Sequence, residues 1–286
     1  MYFGSVKFFK NMILVVVILA IGISAAFAVY YHHQWQQAQV SLGESGVPGG
    51  NGSYSAIDTA PIDYQTLYPD FYAPQPYNAT DRQSNMVYLT FDGALSSYTT
   101  DILDILAEKG VTATFFLSGT SDTVNVDALK EIAAAGHTIG MASWTGDYST
   151  LYRSVDAYLA DAYQLFTYIR DDLGVTPTVF RFPGGSINSY NAGFYQELIA
   201  EMIRRGFVPY DWNINIADMN GGYTAQTRVD TVMDCMNALD RAVLLLRSDA
   251  SAVEFLPVLI DRLQENHYTC AALQINTKPV LFAYPK

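Results

Sequence analysis

Two patterns of apolar residues alternate along the chain from residue 86 onward. Short runs rich in β-branched and aromatic residues, typical of buried strands, occur at 87–91, 113–117, 137–141, 178–182, 207–213, 242–246 and 268–273. Segments with apolar residues at helical spacing lie between them, at 99–109, 127–135, 154–173, 191–205, 228–239 and 253–264. Such alternation predicts an α/β fold, a mostly parallel sheet with helices outside it.

The number of these repeating units favours a closed parallel (β/α)7 barrel over an open doubly wound sheet. In a parallel barrel, the carboxyl ends of the strands and the loops after them form the reacting face. Polar or aromatic residues follow several of the predicted strands. The predicted face therefore brings together Asp92, Arg181, Asp211, Trp212 and Arg247.

The N-terminal part carries an apolar run over residues 12–31. Its length matches the ~20 residues that a helix needs to cross a bilayer. Lys7 and Lys10 precede the run and no Lys or Arg follows before Arg82, which places the N-terminus in the cytoplasm. A cleavable signal peptide is the alternative, because residues 26–28 have the small-x-small form of a cleavage site. We expect a single-pass cell-membrane protein with an extracytoplasmic domain, or a secreted one if the segment is cleaved.

Three parts are predicted along the chain. Residues 1–31 form a cytoplasmic tip and the transmembrane anchor or signal peptide, and residues 86–286 form the α/β domain. Residues 32–85, rich in Gly, Ser and Tyr, show no sustained period and are predicted to be an extended stalk.

Charge and composition limit the possible partners. The chain has 286 residues, of which 50% are hydrophobic, and a net charge of -12. This charge argues against nucleic acid, since phosphate binding needs clustered Lys and Arg. A neutral glycan or a basic partner fits better. The two cysteines, Cys235 and Cys270, do not make a disulfide framework, although a single bridge between them stays open.

Five segments in order resemble one known family, the NodB-type polysaccharide deacetylases or carbohydrate esterase family four. They are Leu-Thr-Phe-Asp at 89–92, Ala-Thr-Phe-Phe at 113–116, Gly-His-Thr-Ile-Gly at 136–140, Phe-Arg-Phe-Pro-Gly-Gly-Ser at 180–186 and Tyr-Asp-Trp-Asn at 210–213. The resemblance implies a distorted (β/α)7 barrel. It also implies removal of acetyl groups from chitin-like, peptidoglycan or xylan chains.

The resemblance implies a divalent metal, usually zinc, held by one Asp and two His. Such a metal activates water and polarises the acetyl carbonyl. The matching positions here are Gly93, Ala142 and Gly146, none of which offers a ligand atom. We therefore expect no metal and no other cofactor. An oxygen-only site built from Asp92, Asp147 and Asp218 is the alternative, and it would favour a hard cation.

The acid–base residues of the family are partly kept. By resemblance, Asp92 is the vestigial general base, Arg181 orients it, and Asp211 is the carboxylate that tunes a leaving-group histidine. Arg247 stands at the position of that histidine. Because guanidinium keeps its proton near neutral pH, Arg247 cannot act as a general acid. We expect Asp211 to pair with Arg247 and Asp92 with Arg181.

Substrate contacts are predicted from Trp212, Trp144, Pro183 and Gly184. Trp212 would form an aromatic wall of the groove. Trp144 would either stack on a sugar ring or fill the space left by the missing metal.

The function predicted first is a membrane-anchored deacetylase-like protein that is catalytically degenerate. It would bind cell-wall glycan, or an envelope partner protein, through the old groove. The alternative is an active hydrolase of N-acetylated peptidoglycan or chitin-like glycan with a relocated site. A third hypothesis is a structural or regulatory protein of the envelope.

Overall fold

The computed structural model describes residues 62–75, 80, 83–93, 95–119, 126–219 and 223–282. All of them belong to one compact unit, residues 61–286. The predicted membrane span at 12–31 and most of the predicted stalk lie outside the described residues, so both stay predictions. None of the helices within the described ranges is long and apolar enough to cross a membrane.

Strands and helices alternate through the described part of the domain, as the sequence pattern predicts. The strands are β1 (Met86–Asp92), β2 (Thr114–Ser118), β3 (Thr138–Ser143), β4 (Val179–Phe180), β5 (Val208–Pro209), β6 (Ile214–Asn215), β7 (Arg241–Leu246) and β8 (Thr269–Cys270). The α-helices are α1 (Thr99–Glu108), α2 (Val126–Ala134), α3 (Tyr148–Leu151), α4 (Val155–Leu173), α5 (Tyr195–Arg204), α6 (Ala225–Met236) and α7 (Ala250–Glu265). A 3-10 helix, Asp63–Thr66, precedes them.

All strand pairs of the sheet are parallel, in the order β5-β4-β3-β2-β1-β7-β6, and β8 pairs with the start of β1. Side chains from one face of six of these strands meet in a single buried cluster. The sheet must therefore curl around that cluster. The predicted parallel α/β architecture is confirmed as a curled half-barrel, whose hydrogen-bonded path through the described strands ends at β5 and β6.

The helices cover the convex face of the sheet and bury the larger core cluster. Helix α4 shows how the sequence defines such an element. Ser154 caps its first turn by accepting a hydrogen bond from the Ala157 amide, and Gly174 ends it in the left-handed conformation, with φ 67°. Its apolar positions recur at helical spacing, so one face packs on the sheet.

The predicted strand at 207–213 is divided in the structure. β5 ends at Pro209, although the Tyr210 amide still donates to the Phe180 carbonyl of β4 at 2.9 Å. The chain then turns through Asp211 and Trp212 before the separate strand β6 begins. The break places these two side chains at the rim of the sheet rather than inside a ladder.

Residues 62–75, inside the predicted stalk, pack against the domain. Phe71 is completely buried. The buried Arg205, just after α5, donates to four backbone carbonyls of this segment, those of Tyr64, Leu67, Tyr68 and Phe71, at 2.9–3.3 Å. Its Nε donates to Glu201 at 2.6 Å. One guanidinium thus supplies donors to four backbone carbonyls of this non-sheet segment.

The segment after β8 fills the open side of the curled sheet. Leu273 and Val280 pack into the concave cluster. The Tyr210 hydroxyl donates to the carbonyls of Gln274 and Thr277, at 2.9 and 2.6 Å. The Asp211 amide donates to the Val280 carbonyl at 2.7 Å. Residues 271–282 therefore brace the edge of the sheet next to β5.

Candidate active-site groove

A cavity of about 670 Å³ opens at the carboxyl ends of the strands. It lies where the barrel prediction placed the reacting face. The predicted catalytic residues Asp92, Arg181 and Arg247 line it, together with Trp212. The predicted contacts Pro183 and Gly184 lie on the same wall.

Asp92 and Arg181 form the base of this groove. Asp92 ends β1, and Arg181 directly follows β4, so the curl of the sheet brings them together. Arg181 is fully buried and donates from Nη1 to Asp92 Oδ1 at 2.5 Å and to the Thr90 hydroxyl at 2.8 Å. Its Nε donates to the Tyr210 carbonyl at 2.8 Å, and its guanidinium stacks 4.2 Å over the Phe116 ring. The predicted Asp92–Arg181 pair is confirmed.

The Asp92 carboxyl is chemically unusual. Burial raises its pKa above the ordinary aspartate value, and the Arg181 guanidinium offsets this only in part. Its side chain keeps 29% of its surface exposed, toward the groove. Asp92 is thus a carboxyl that takes up a proton more readily than usual and can accept a hydrogen bond from a bound ligand.

Asp211 faces away from the groove. Its carboxylate accepts from the Ser186 amide at 2.8 Å, the Ser186 hydroxyl at 2.5 Å and the Phe282 amide at 2.6 Å. Burial raises its pKa, while these hydrogen bonds oppose the rise. Asp211 therefore joins the loop after β4 to the C-terminal segment.

The predicted Asp211–Arg247 pair is wrong. The buried Asp211 carboxylate is instead held by three hydrogen bonds, from Ser186 and Phe282. Arg247 instead turns toward solvent and contacts Asp218 at 3.5 Å, with 59% and 69% of the two side chains exposed. An exposed pair at this distance is worth little. Arg247 is therefore an exposed cation at the mouth of the groove.

The two predicted tryptophans lie in different places. Trp212 lines the groove, with Arg181 5.6 Å from its ring and Phe282 packed edge-on at 4.9 Å. Trp144 instead packs toward the helices, against Tyr168 at 5.6 Å and over Gly119, where an added Cβ would lie 2.3 Å from the indole. Trp144 does not line the described cavity, so the structure supports neither interpretation proposed for it.

A tyrosine that the sequence analysis missed also lines the groove. Tyr148 begins the short helix α3, which Asp147 caps by accepting from Ser149. Asp161 of α4 holds the preceding loop by accepting from the amides of Trp144 and Thr145, at 2.7 and 2.9 Å. In the sequence, the signal for this anchored loop was Asp161, an acidic residue at an otherwise apolar position of the helix.

A family model described as polysaccharide deacetylase matches residues 79–202. The described domain is therefore a polysaccharide deacetylase-like domain. The resemblance inferred from the five motifs is confirmed.

Relatives of this deacetylase-like domain include cell-wall enzymes. A peptidoglycan-N-acetylglucosamine deacetylase of Bacillus cereus is 28% identical over 201 residues, which cover 68% of this chain and 71% of that protein. The catalytic domain of a peptidoglycan N-acetylglucosamine deacetylase from Eubacterium rectale has 27% identity and a TM-score of 0.68, covering 73% of this chain and 97% of that one. A polysaccharide deacetylase from Bacillus cereus has 26% identity and a TM-score of 0.60, covering 69% and 96%.

The expectation that no cofactor is involved is contradicted by these comparisons. The family's deacetylases to which this chain is similar are metal-dependent. A divalent metal is therefore the group that the family implies for the groove. Whether the side chains present fit such an ion is a separate question.

The donor atoms around the groove of this deacetylase-like domain do not fit a three-ligand ion. The family positions are Gly93, Ala142 and Gly146, and all three line the cavity. Gly93 has φ 102°, a conformation that an aspartate would adopt only with strain. Asp147, proposed for an oxygen-only site, is committed to capping α3. Within the described ranges, no three potential ligand side chains meet.

Proposed function

We propose that this protein binds cell-wall glycan in the groove of a deacetylase fold and does not carry out the family's hydrolysis. The observation that carries the proposal is Arg247. It stands on the groove wall, exposed, where the resemblance places the histidine that protonates the leaving amine.

The chemistry at this position is decisive for turnover. An acetamide is cleaved only if the departing nitrogen receives a proton from a nearby acid. A guanidinium retains its proton throughout the accessible pH range, so Arg247 does not supply one. Asp92 is engaged by Arg181 at 2.5 Å. The position that the resemblance gives to the general acid therefore holds a cation that keeps its proton.

The features that support glycan binding are the walls of the groove. Trp212 offers an aromatic face beside the narrow Pro183–Gly184 turn. The apolar C–H face of a pyranose ring stacks on such a surface, while its hydroxyl and acetamide groups hydrogen-bond to polar neighbours. The relatives named as peptidoglycan-N-acetylglucosamine deacetylases point to a chain that contains N-acetylglucosamine.

Binding and hydrolysis are separable in one experiment on the full-length protein. We expect N-acetylglucosamine oligomers to bind in calorimetry, with no acetate released above background, with or without added Zn²⁺. Replacing Trp212 with alanine should weaken binding about tenfold, equivalent to about 1.4 kcal/mol.

Trp144→Ala is the matched control, because Trp144 lies off the groove. It should leave the affinity unchanged once a melting curve shows that the variant is folded. Sustained acetate release by the wild type would establish the active-hydrolase alternative and overturn the degenerate function. Binding of an envelope protein without any glycan binding would favour the regulatory hypothesis.

We extend the proposal to location. The apolar run at 12–31, preceded by Lys7 and Lys10, supports an uncleaved anchor with the domain outside the cytoplasm. The protein should therefore stay in the membrane fraction after an alkaline carbonate wash, and mass spectrometry should find residues 1–31 still attached. A shortened chain in the soluble extracytoplasmic fraction would show instead that the segment is a signal peptide.

A further inference from the structure

We propose that Tyr148 and Tyr190 form a second sugar-binding subsite, which extends the groove and takes further units of a neutral glycan chain. The inference rests on the proposed glycan-binding function and adds to it a site and a preference for longer chains.

The two tyrosines are adjacent, and they lead outward from the cavity. Tyr148 lines the cavity, whereas Tyr190, in the loop between β4 and α5, is 53% exposed. Their ring centroids are 5.5 Å apart with the planes at 86°. The rings therefore form two walls of a corner at the rim of the groove. A chain that leaves the cavity past Tyr148 meets the Tyr190 ring next.

The corner is rigid before any ligand arrives. The Asn188 amide donates to the carbonyls of Pro183 and Gly185, at 3.3 and 3.1 Å, and its oxygen accepts from the Tyr190 amide at 2.9 Å. The Tyr152 hydroxyl donates to the same Pro183 carbonyl at 2.7 Å. Because the loop is already ordered, little conformational entropy is lost when a ligand binds.

The backbone beneath the corner fits Tyr148 closely. Gly184 has φ 78°, and a Cβ added there would lie 3.0 Å from the Tyr148 ring. The turn after β4 thus leaves just enough space for the ring to lie over it. The Tyr148 ring can occupy this position because residue 184 is a glycine and has no side chain.

The chemistry of the loop selects a neutral, hydroxylated ligand. Residues 182–196 contain aromatic, amide, hydroxyl and small side chains and no charged residue, in a chain with 28 acidic and 16 basic residues. A phosphorylated or acidic polymer would find no cation on this loop. Tyrosine rings offer a large contact area with few rotatable bonds, and their hydroxyl groups can bond to sugar hydroxyls. A glycan of uncharged units matches both properties.

The subsite predicts that affinity depends on chain length. A disaccharide fills the cavity beside Trp212, whereas a hexasaccharide also reaches the corner. Calorimetry of the full-length protein with the dimer and the hexamer of N-acetylglucosamine tests this. The wild type should bind the hexamer about tenfold more tightly than the dimer, a difference of about 1.4 kcal/mol.

Tyr190→Ala should remove most of this length advantage and leave the dimer affinity within about twofold. Tyr190→Phe, which keeps the ring, should retain it. Tyr72→Ala is the control, because Tyr72 is also an exposed tyrosine but lies on the docked segment at 62–75, where it contacts Arg204. It should bind both oligomers as the wild type does.

The outcomes separate the two proposals. If Trp212→Ala weakens both oligomers and Tyr190→Ala changes neither, the groove binds glycan and the second subsite is wrong. If the wild type binds neither oligomer, the proposed function fails and the subsite fails with it.

Discussion

Replacing Arg205 with alanine should lower the free energy of unfolding by about 2–4 kcal/mol, because it removes one of the two arginines that compensate the buried Glu201 carboxylate. Arg205 and Glu201 are both almost fully buried, at 1% and 2% exposure. The variant also removes the Arg205 hydrogen bonds to four backbone carbonyls of the segment at 62–75. We expect the segment to detach and Phe71 to lose its burial.

Urea denaturation measures the loss of unfolding free energy, and hydrogen exchange measures the detachment of the segment at 62–75. Exchange should accelerate at the Ala73 amide, which donates to the Arg205 carbonyl at 2.9 Å. Arg170→Ala is the control: Arg170 also bonds to this segment, through Asp70 at 2.8 Å, but the pair is exposed. Its loss should cost about 0–1 kcal/mol. A similar small cost for Arg205→Ala would show that the segment is held by apolar packing alone.

The loss of unfolding free energy caused by Arg205→Ala should also depend on pH. Burial tends to raise the pKa of Glu201, but hydrogen bonds from Arg204 and Arg205 outweigh it and hold the pKa below the ordinary value. A carboxyl whose pKa is lowered in the folded state stabilises the fold above its unfolded-state pKa. This stabilisation is lost as the pH falls through the folded-state pKa. Because the variant loses one of these donors, its penalty should be smaller at about pH 3 than at neutral pH.

Arg181→Ala should destabilise the domain by about 3–5 kcal/mol, since it leaves a carboxylate at the base of the groove without its partner. Further contacts of the guanidinium are lost, with Thr90, the carbonyls of Tyr210 and Asp211, and the rings of Phe116 and Trp212. Without Arg181, the pKa of Asp92 should rise further. The penalty should therefore be greatest at neutral pH and shrink in acid, where Asp92 is protonated in both states.

Thermal and urea unfolding check this prediction. Arg247→Ala is the control, since it removes an arginine from the same groove that is 59% exposed. It should change stability by less than about 0.5 kcal/mol. The double variant Asp92→Asn/Arg181→Met should recover part of the loss, because no unpaired charge is left. If the double variant is no more stable than Arg181→Ala, the unpaired Asp92 carboxylate is not what destabilises the single variant.

Much of the fold was predictable from the sequence because its signals are local. The run at 87–91 and the helix at 154–173 carry their periodicity and end signals within a few residues. Asp92 and Arg181 could be placed together because both follow parallel strands. Their hydrogen bond is what the family resemblance implied.

The rest depends on contacts between distant residues, which no local pattern encodes. Asp211 was predicted to face Arg247, but its partners are Ser186 and the backbone of Phe282. The amide of a C-terminal segment gives no sequence signal. The docked segment at 62–75 likewise depends on Arg205, far along the chain. Tyr148 reaches the groove only through a four-residue helix, too short to show a period.

The position of β1 in the sheet also determines when the domain can assemble. β1 is the first strand, yet it pairs with β7 along nearly its whole length and with β8 at its start. Most of the pairing of β1 therefore depends on strands near the other end of the chain. Topologies dominated by such distant pairings fold slowly, since loop closure precedes the stabilising contacts. Until β7 and β8 have been synthesised, a nascent chain can pair β1 only with β2, along its last three residues, and the rest of this apolar strand favours aggregation.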